Sequence, residues 1–122
     1  MSFIHQLKKI RDGYVIRQVK NTRLPDFPPS PTIRERIKFT GRVQKVGFRL
    51  EIYEFSKRLN LTGWVKNTKD KNVEAELQGE GSKIEFLIGF MKALKRASVR
   101  EVKREELPLQ EEGGFTLIKG EQ

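Results

Sequence analysis

The sequence predicts an α+β fold in which an antiparallel sheet carries two helices on one face. Three observations predict it. Two stretches, near 48–60 and 82–94, place apolar side chains at helical spacing. Four short alternating or β-branched runs flank them, at about 33–40, 61–67, 73–78 and 99–107. Glycine, asparagine or serine stands at most of the boundaries between them.

Taken in order, the main domain begins near Ile33, and Ile37 and Phe39 alternate with Lys38 and Thr40 as in a strand. The helix over about 48–60 is expected to turn Leu50, Tyr53 and Leu59 inward and to leave Glu51, Glu54, Lys57 and Arg58 wet. Asn60 suits a left-handed cap after it. Leu61 to Asn67 returns as a strand, residues 68–72 turn, and Val73, Ala75 and Leu77 share one face of the next strand. Ser82 with Glu85 reads as a capping box, opening a helix whose stripe is Ile84, Leu87, Ile88, Met91 and Leu94. Val99 to Leu107 is a fourth strand and Phe115 to Ile118 a short last one. The order strand, helix, strand, strand, helix, strand is that of the split βαβ, or ferredoxin-like, fold. Right-handed crossovers then put both helices on one face of the sheet.

Residues 1–32 read as a basic N-terminal extension and linker, and 33–122 as the folded domain. Pro25, Pro28, Pro29 and Pro31 deny the backbone donors and favour extended chain. Before them, Phe3, Ile4, Leu7 and Ile10 have helical spacing, Gly13 can cap that helix, and Tyr14 to Val19 suggests a short strand. The extension is too small to fold alone. It either packs on the domain, lays a strand on an exposed sheet edge, or stays partly disordered.

Composition narrows the class. Charged residues make up 34% of the 122, and the net charge is +9, concentrated toward the N-terminus. Such a field draws anionic ligands, phosphates included. With no cysteine and one histidine, His5, the chain has neither disulfides nor a cysteine- or histidine-built metal site. No apolar run is long enough for a membrane span and no signal-peptide h-region opens the chain, so a cytoplasmic monomer is the expectation, with oligomerisation through residues 1–32 open.

The run Gly41-Arg42-Val43-Gln44-Lys45-Val46-Gly47-Phe48-Arg49 is a strand end, a glycine-bracketed loop and an arginine at a helix mouth. Such a loop turns backbone N–H groups toward one point, and a helix N-terminus and a guanidinium add positive charge there. An arginine at this end opposes the helix dipole and calls for a compensating anion, either a ligand or a surface carboxylate. A second run, Gly63-Trp64-Val65-Lys66-Asn67, ends a strand, where Asn67 is either functional or a turn residue. Trp64 and Phe48 are read as core, Lys66 and Lys69 as a solvated face, while Gln44 either orients the loop or faces solvent.

With both runs on these elements, residues 36–119 resemble the acylphosphatase family. The first run matches its Gly-x-Val-Gln-Gly-Val-x-Phe-Arg motif, and Gly63 to Asn67, followed by Val73 and Gly79, matches its second. The resemblance implies hydrolysis of small acyl phosphates to a carboxylate and inorganic phosphate, without metal or cofactor. It implies that Arg49 and the loop Val43, Gln44, Lys45, Val46, Gly47 and Phe48 hold the phosphoryl group and that Asn67 positions water. That chemistry suits the residues. A carboxylate leaves readily, so electrostatic stabilisation and an aligned water are needed more than a strong base.

Two positions depart from the pattern: Lys45 replaces the loop glycine and Lys71 a turn glycine. A lysine at positive φ costs about 1–2 kcal/mol. If Lys45 reshapes the cradle, the alternative is a catalytically weak or inactive phosphate-binding module of the same family. At the turn, Asn72 is expected to take over the left-handed geometry. Nucleic-acid binding is disfavoured. RNA-recognition sheets of this topology stack bases on exposed strand aromatics, and Phe39 reads as core.

Overall fold

The structure, a computed structural model, describes residues 2–111 and 113–121. Its elements are α1 (Phe3–Asn21), β1 (Thr32–Arg42), α2 (Phe48–Arg58), β2 (Thr62–Asn67), β3 (Val73–Glu80), α3 (Gly81–Lys92), β4 (Ser98–Leu107) and β5 (Phe115–Glu121). The strands form one sheet in the order β4-β1-β3-β2-β5. β1 lies antiparallel between β4 and β3, and β3 antiparallel to β2, which is the interleaved pair of β-α-β crossovers expected.

The fifth strand departs from a purely antiparallel sheet: β5 runs parallel to β2, Gly63 opposite Phe115 and Val65 opposite Leu117. β4 occupies one edge of the sheet and β5 the other, so the chain crosses the sheet between them before pairing. On that crossing, Gln110 N–H donates to Gln78 Oε1 and Gln78 Nε2 donates to the Gln110 carbonyl, each at 2.9 Å. Beneath lies a charge ladder on the face away from α2 and α3, where the buried Arg34 and the exposed Arg36 share the Glu76 carboxylate.

The core sits between the sheet and the α2–α3 layer. Ile37, Phe39, Val65, Val73, Ala75 and Leu77 face Ile52, Phe55, Ile84, Leu87, Ile88 and Met91. Each buried aliphatic or aromatic side chain of this kind contributes about 1.5–3 kcal/mol of transfer free energy. The α3 stripe matches the periodicity, but α2 is rotated from the expected phase. Ile52 and Phe55 are its core residues, Leu50 and Tyr53 are only partly buried, and Glu51, expected to be wet, is fully buried. An arginine from the turn between α3 and β4, Arg96, makes that burial tolerable, and no helical periodicity reports such a partner.

The extension differs most. No strand forms at 14–19 and Gly13 caps nothing, because α1 is one helix of 19 residues. Val15 and Val19, four apart, are buried, and α1 packs on α2. Tertiary burial of one helical face overrides the β-branched composition. Arg58 of α2 closes the far end of α1 by donating to the carbonyls of Val19 (2.5 Å) and Thr22 (2.8 Å).

Nor is Ser82 the N-cap of α3; Glu80 is, and it makes no side-chain cap bond. The linker does the capping instead. Ser82 N–H donates to Ser30 Oγ at 2.9 Å and Gly81 N–H to the Pro31 carbonyl at 3.1 Å. Orphan amides of a helix start are thus satisfied from 50 residues away in the chain. Glu85 turns to Arg104 rather than back to the helix start.

Candidate active site

The cradle follows from where β1 ends. β1 stops at Arg42, and residues 44–47 bend without turn hydrogen bonds before α2 starts at Phe48. Among the described residues, the amides of 44–48 donate to no protein acceptor. Lys45 takes φ 65° and Gly47 φ 79°, so the loop has the left-handed residues that make neighbouring N–H groups converge. Lys45 therefore keeps a glycine's conformation instead of reshaping the loop. Lys71 does likewise at φ 72°, and Asn72 does not take over that role. Asn60 holds φ 56° after α2, as expected.

Gly47 is required twice. Besides its φ, a Cβ there would lie 2.8 Å from Val15 Cγ2, so a bare backbone lets α1 seat on the loop. Gly63 is equally constrained, since a Cβ would meet the Glu76 carbonyl oxygen at 1.9 Å across the β2–β3 ladder.

Arg49 is the second residue of α2. Its Nη1 donates to the carbonyls of Ile118 (2.8 Å) and Gly120 (3.1 Å) in β5, which fixes the guanidinium against the end of the sheet. Its pKa is lowered from the ordinary value first by burial and then by the neighbouring Arg11, with Asp12 opposing. Partial desolvation of this kind strengthens the pull on an anion. Asn67, the last residue of β2, is partly buried and lies between Val73 of β3 and Glu121 of β5. Gln44 settles its own question: Nε2 donates at 2.8 Å to the carbonyls of both Thr68 and Asn72. It thereby ties the cradle to the hairpin that follows Asn67.

One cavity of about 390 Å³ collects these parts, lined by Val43, Lys45, Gly47, Phe48, Arg49 and Asn67. Two of the loop residues do not line it. Gln44 holds the hairpin, and the Val46 carbonyl accepts from Arg96 Nε at 2.6 Å. Phe48 is also core, edge-on to Phe39. Trp64 is not core; it lies partly exposed on the sheet face away from the helices, with Lys66 Nζ 5.1 Å above its ring. Lys66 is itself partly buried, 3.9 Å from Glu74.

Five further residues line this cavity, one of them Leu50 of α2. Arg11 and Asp12 reach in from α1, and Leu117 and Lys119 from β5. The only signal for the first pair was the basic bias of the N-terminus; nothing in the sequence foretold that β5 carbonyls would anchor Arg49. Arrayed amides, a guanidinium and an uncharged amide side chain can hold a tetrahedral anion and align a water beside it.

Comparison with known proteins places the fold. The acylphosphatase family model matches residues 35–117. An acylphosphatase of Thermococcus kodakarensis is 39% identical over 77 residues, covering 61% of this chain and 85% of the relative. One from Pseudomonas paraeruginosa is 42% identical over 78 residues, covering 63% and 86%. Among solved structures, an acylphosphatase from Coxiella burnetii superposes with a TM-score of 0.66 at 30% identity, covering 71% of this chain and 93% of that one. That from Bacillus subtilis gives 0.67 at 28% identity, covering 71% and 99%. Matched by the family model over more than half its length, the chain belongs to the acylphosphatase family.

Proposed function

We propose that this chain hydrolyses small acyl phosphates to a carboxylate and inorganic phosphate through the cavity at the head of α2. One observation carries the reading: Lys45, Gly47 and Phe48, whose amides have no protein acceptor among the described residues, share one cavity with Arg49 and Asn67. Arg49 and the loop amides bind the phosphoryl oxygens. Asn67 holds a water in line with the bond to be broken. The water oxygen adds to phosphorus, the bond from phosphorus to the acyl oxygen breaks, and its electron pair leaves on the carboxylate. Both water protons end on the phosphate, so no basic side chain is required. Fixed donors act where charge spreads in the transition state, and each such donor is worth about a hundredfold or more in rate.

Residues 33–122 carry this activity in our reading, as the family match at 35–117 supports. Packing of α1 on α2 of its own chain supports a monomeric working form. A cytoplasmic setting fits the cysteine-free sequence.

Release of phosphate from acetyl phosphate without added metal tests the proposal. Wild type should exceed buffer by orders of magnitude, and Arg49→Ala and Asn67→Ala should each lose about a hundredfold or more. A wild-type rate no better than buffer ends it.

A further inference from the structure

The wall of the cavity is not made by the family-matched segment alone. α1 lies outside residues 35–117, yet Arg11 and Asp12 line the cavity that contains Arg49 and Asn67. α1 is anchored there at three points. Val15 sits on the bare face of Gly47. Arg96 bonds both Gln18 Oε1 (3.1 Å) and the Val46 carbonyl (2.6 Å), which joins α1 to the loop through one guanidinium. Arg58 holds the far end through Val19 and Thr22. Arg11 is thus carried on a fixed element.

A second groove, of about 460 Å³, adjoins the first through Arg11 and Lys45, which line both. Ile4 and Leu7 give it an apolar floor and Lys8, Arg11 and Lys45 a cationic rim, with no carboxylate among its lining residues. Asp12 Oδ1 accepts from Arg11 Nε (3.1 Å) and Nη2 (2.9 Å), orienting the guanidinium, while Nη1 has no protein partner among the described residues. A phosphoryl group held by Arg49 and the loop amides has no use for this groove. The remainder of a substrate must leave the cradle past the residues bordering it, and on this side those are Arg11 and Lys45.

Resting on the acyl-phosphate reading above, we propose that α1 supplies an acyl-binding subsite in which Arg11 selects substrates whose acyl chain ends in a second anionic group. The terminal carboxylate of such a chain meets Arg11 where the cradle opens into the groove, and Ile4 and Leu7 lie beyond it. Arg11 is here a specificity-determining residue, and the reaction at phosphorus is unchanged.

Glutaryl phosphate and pentanoyl phosphate have the same chain length and differ by the terminal carboxylate. Wild type should favour glutaryl phosphate in kcat/KM by about fivefold or more, the scale of one partly exposed Arg–carboxylate pair. In Arg11→Gln the ratio should fall toward one, mainly through KM for glutaryl phosphate, and Arg11→Lys should keep part of it. Thermal melts of both variants establish that they fold. Binding of the two methylene-bridged analogues, in which CH₂ replaces the anhydride oxygen, is measured by calorimetry in parallel. Absence of turnover with a tighter-binding glutaryl analogue would overturn the hydrolytic reading and uphold the subsite. Equal affinity of wild type for the two analogues, or an unchanged preference in Arg11→Gln, would overturn the subsite itself.

Discussion

Replacing Arg96 by glutamine should cost this protein much of its stability, and by an amount that depends on pH. Arg96 sits in the turn between α3 and β4, and its side chain is 22% exposed. It donates to Glu51 Oε1, to the Val46 carbonyl and to Gln18. The Glu51 side chain has no exposure at all, and its Oε2 already lacks a partner among the described residues. Removing one member of a buried pair typically costs about 3–5 kcal/mol, because the other charge stays in a poor solvent. Water can reach the Arg96 side, which trims the figure to about 2–3 kcal/mol. For a chain of this size each kcal/mol shifts the melting temperature by roughly 4 °C, so a fall of about 10 °C is expected.

The pH sign follows from Glu51. Burial raises its pKa above the ordinary 4.5, while the bond to Arg96 and its charge pull it down. A carboxyl that holds its proton more tightly when folded makes the fold lose stability as pH rises through the window above 4.5. Without Arg96 the downward pull vanishes, the window widens upward, and the variant's deficit should be larger at pH 7.5 than at pH 5. Urea denaturation at the two pH values reads this directly. Adding Glu51→Gln to the variant should remove the pH dependence. A deficit under about 0.5 kcal/mol, or one equal at both pH values, would refute the assignment of Arg96 as the clamp on Glu51.

Two further outcomes follow from single residues. Lys45→Gly should raise stability by about 1 kcal/mol in thermal melts, since it relieves a left-handed lysine, yet should raise KM for acetyl phosphate because an ammonium leaves the cavity. The Asp70 carboxyl is held down to about 2, chiefly by hydrogen bonds from Lys38 and Thr68. Its contribution is therefore present above its ordinary 3.8 and lost as pH falls toward 2, so Asp70→Asn should flatten the acid limb of the stability profile over that range.

The sequence alone determined the element order from β1 to β5, the buried face of β3 and the stripe of α3. Each depends on spacing within one element, and local periodicity reports which face is apolar. Both site runs were legible for a similar reason: glycines and an arginine at fixed offsets constrain the backbone wherever the chain goes. Only the tertiary structure decided that Glu51 is buried, because the charge that permits it stands 45 residues away in Arg96. Likewise it decided that residues 14–19 are helical, since burial of Val15 and Val19 against α2 outweighs their β propensity. It also decided that β5 runs parallel to β2 and anchors Arg49 through two carbonyls, and that α1 brings Arg11 to the cradle. Those choices rest on contacts between elements far apart in the chain, and no local pattern encodes them.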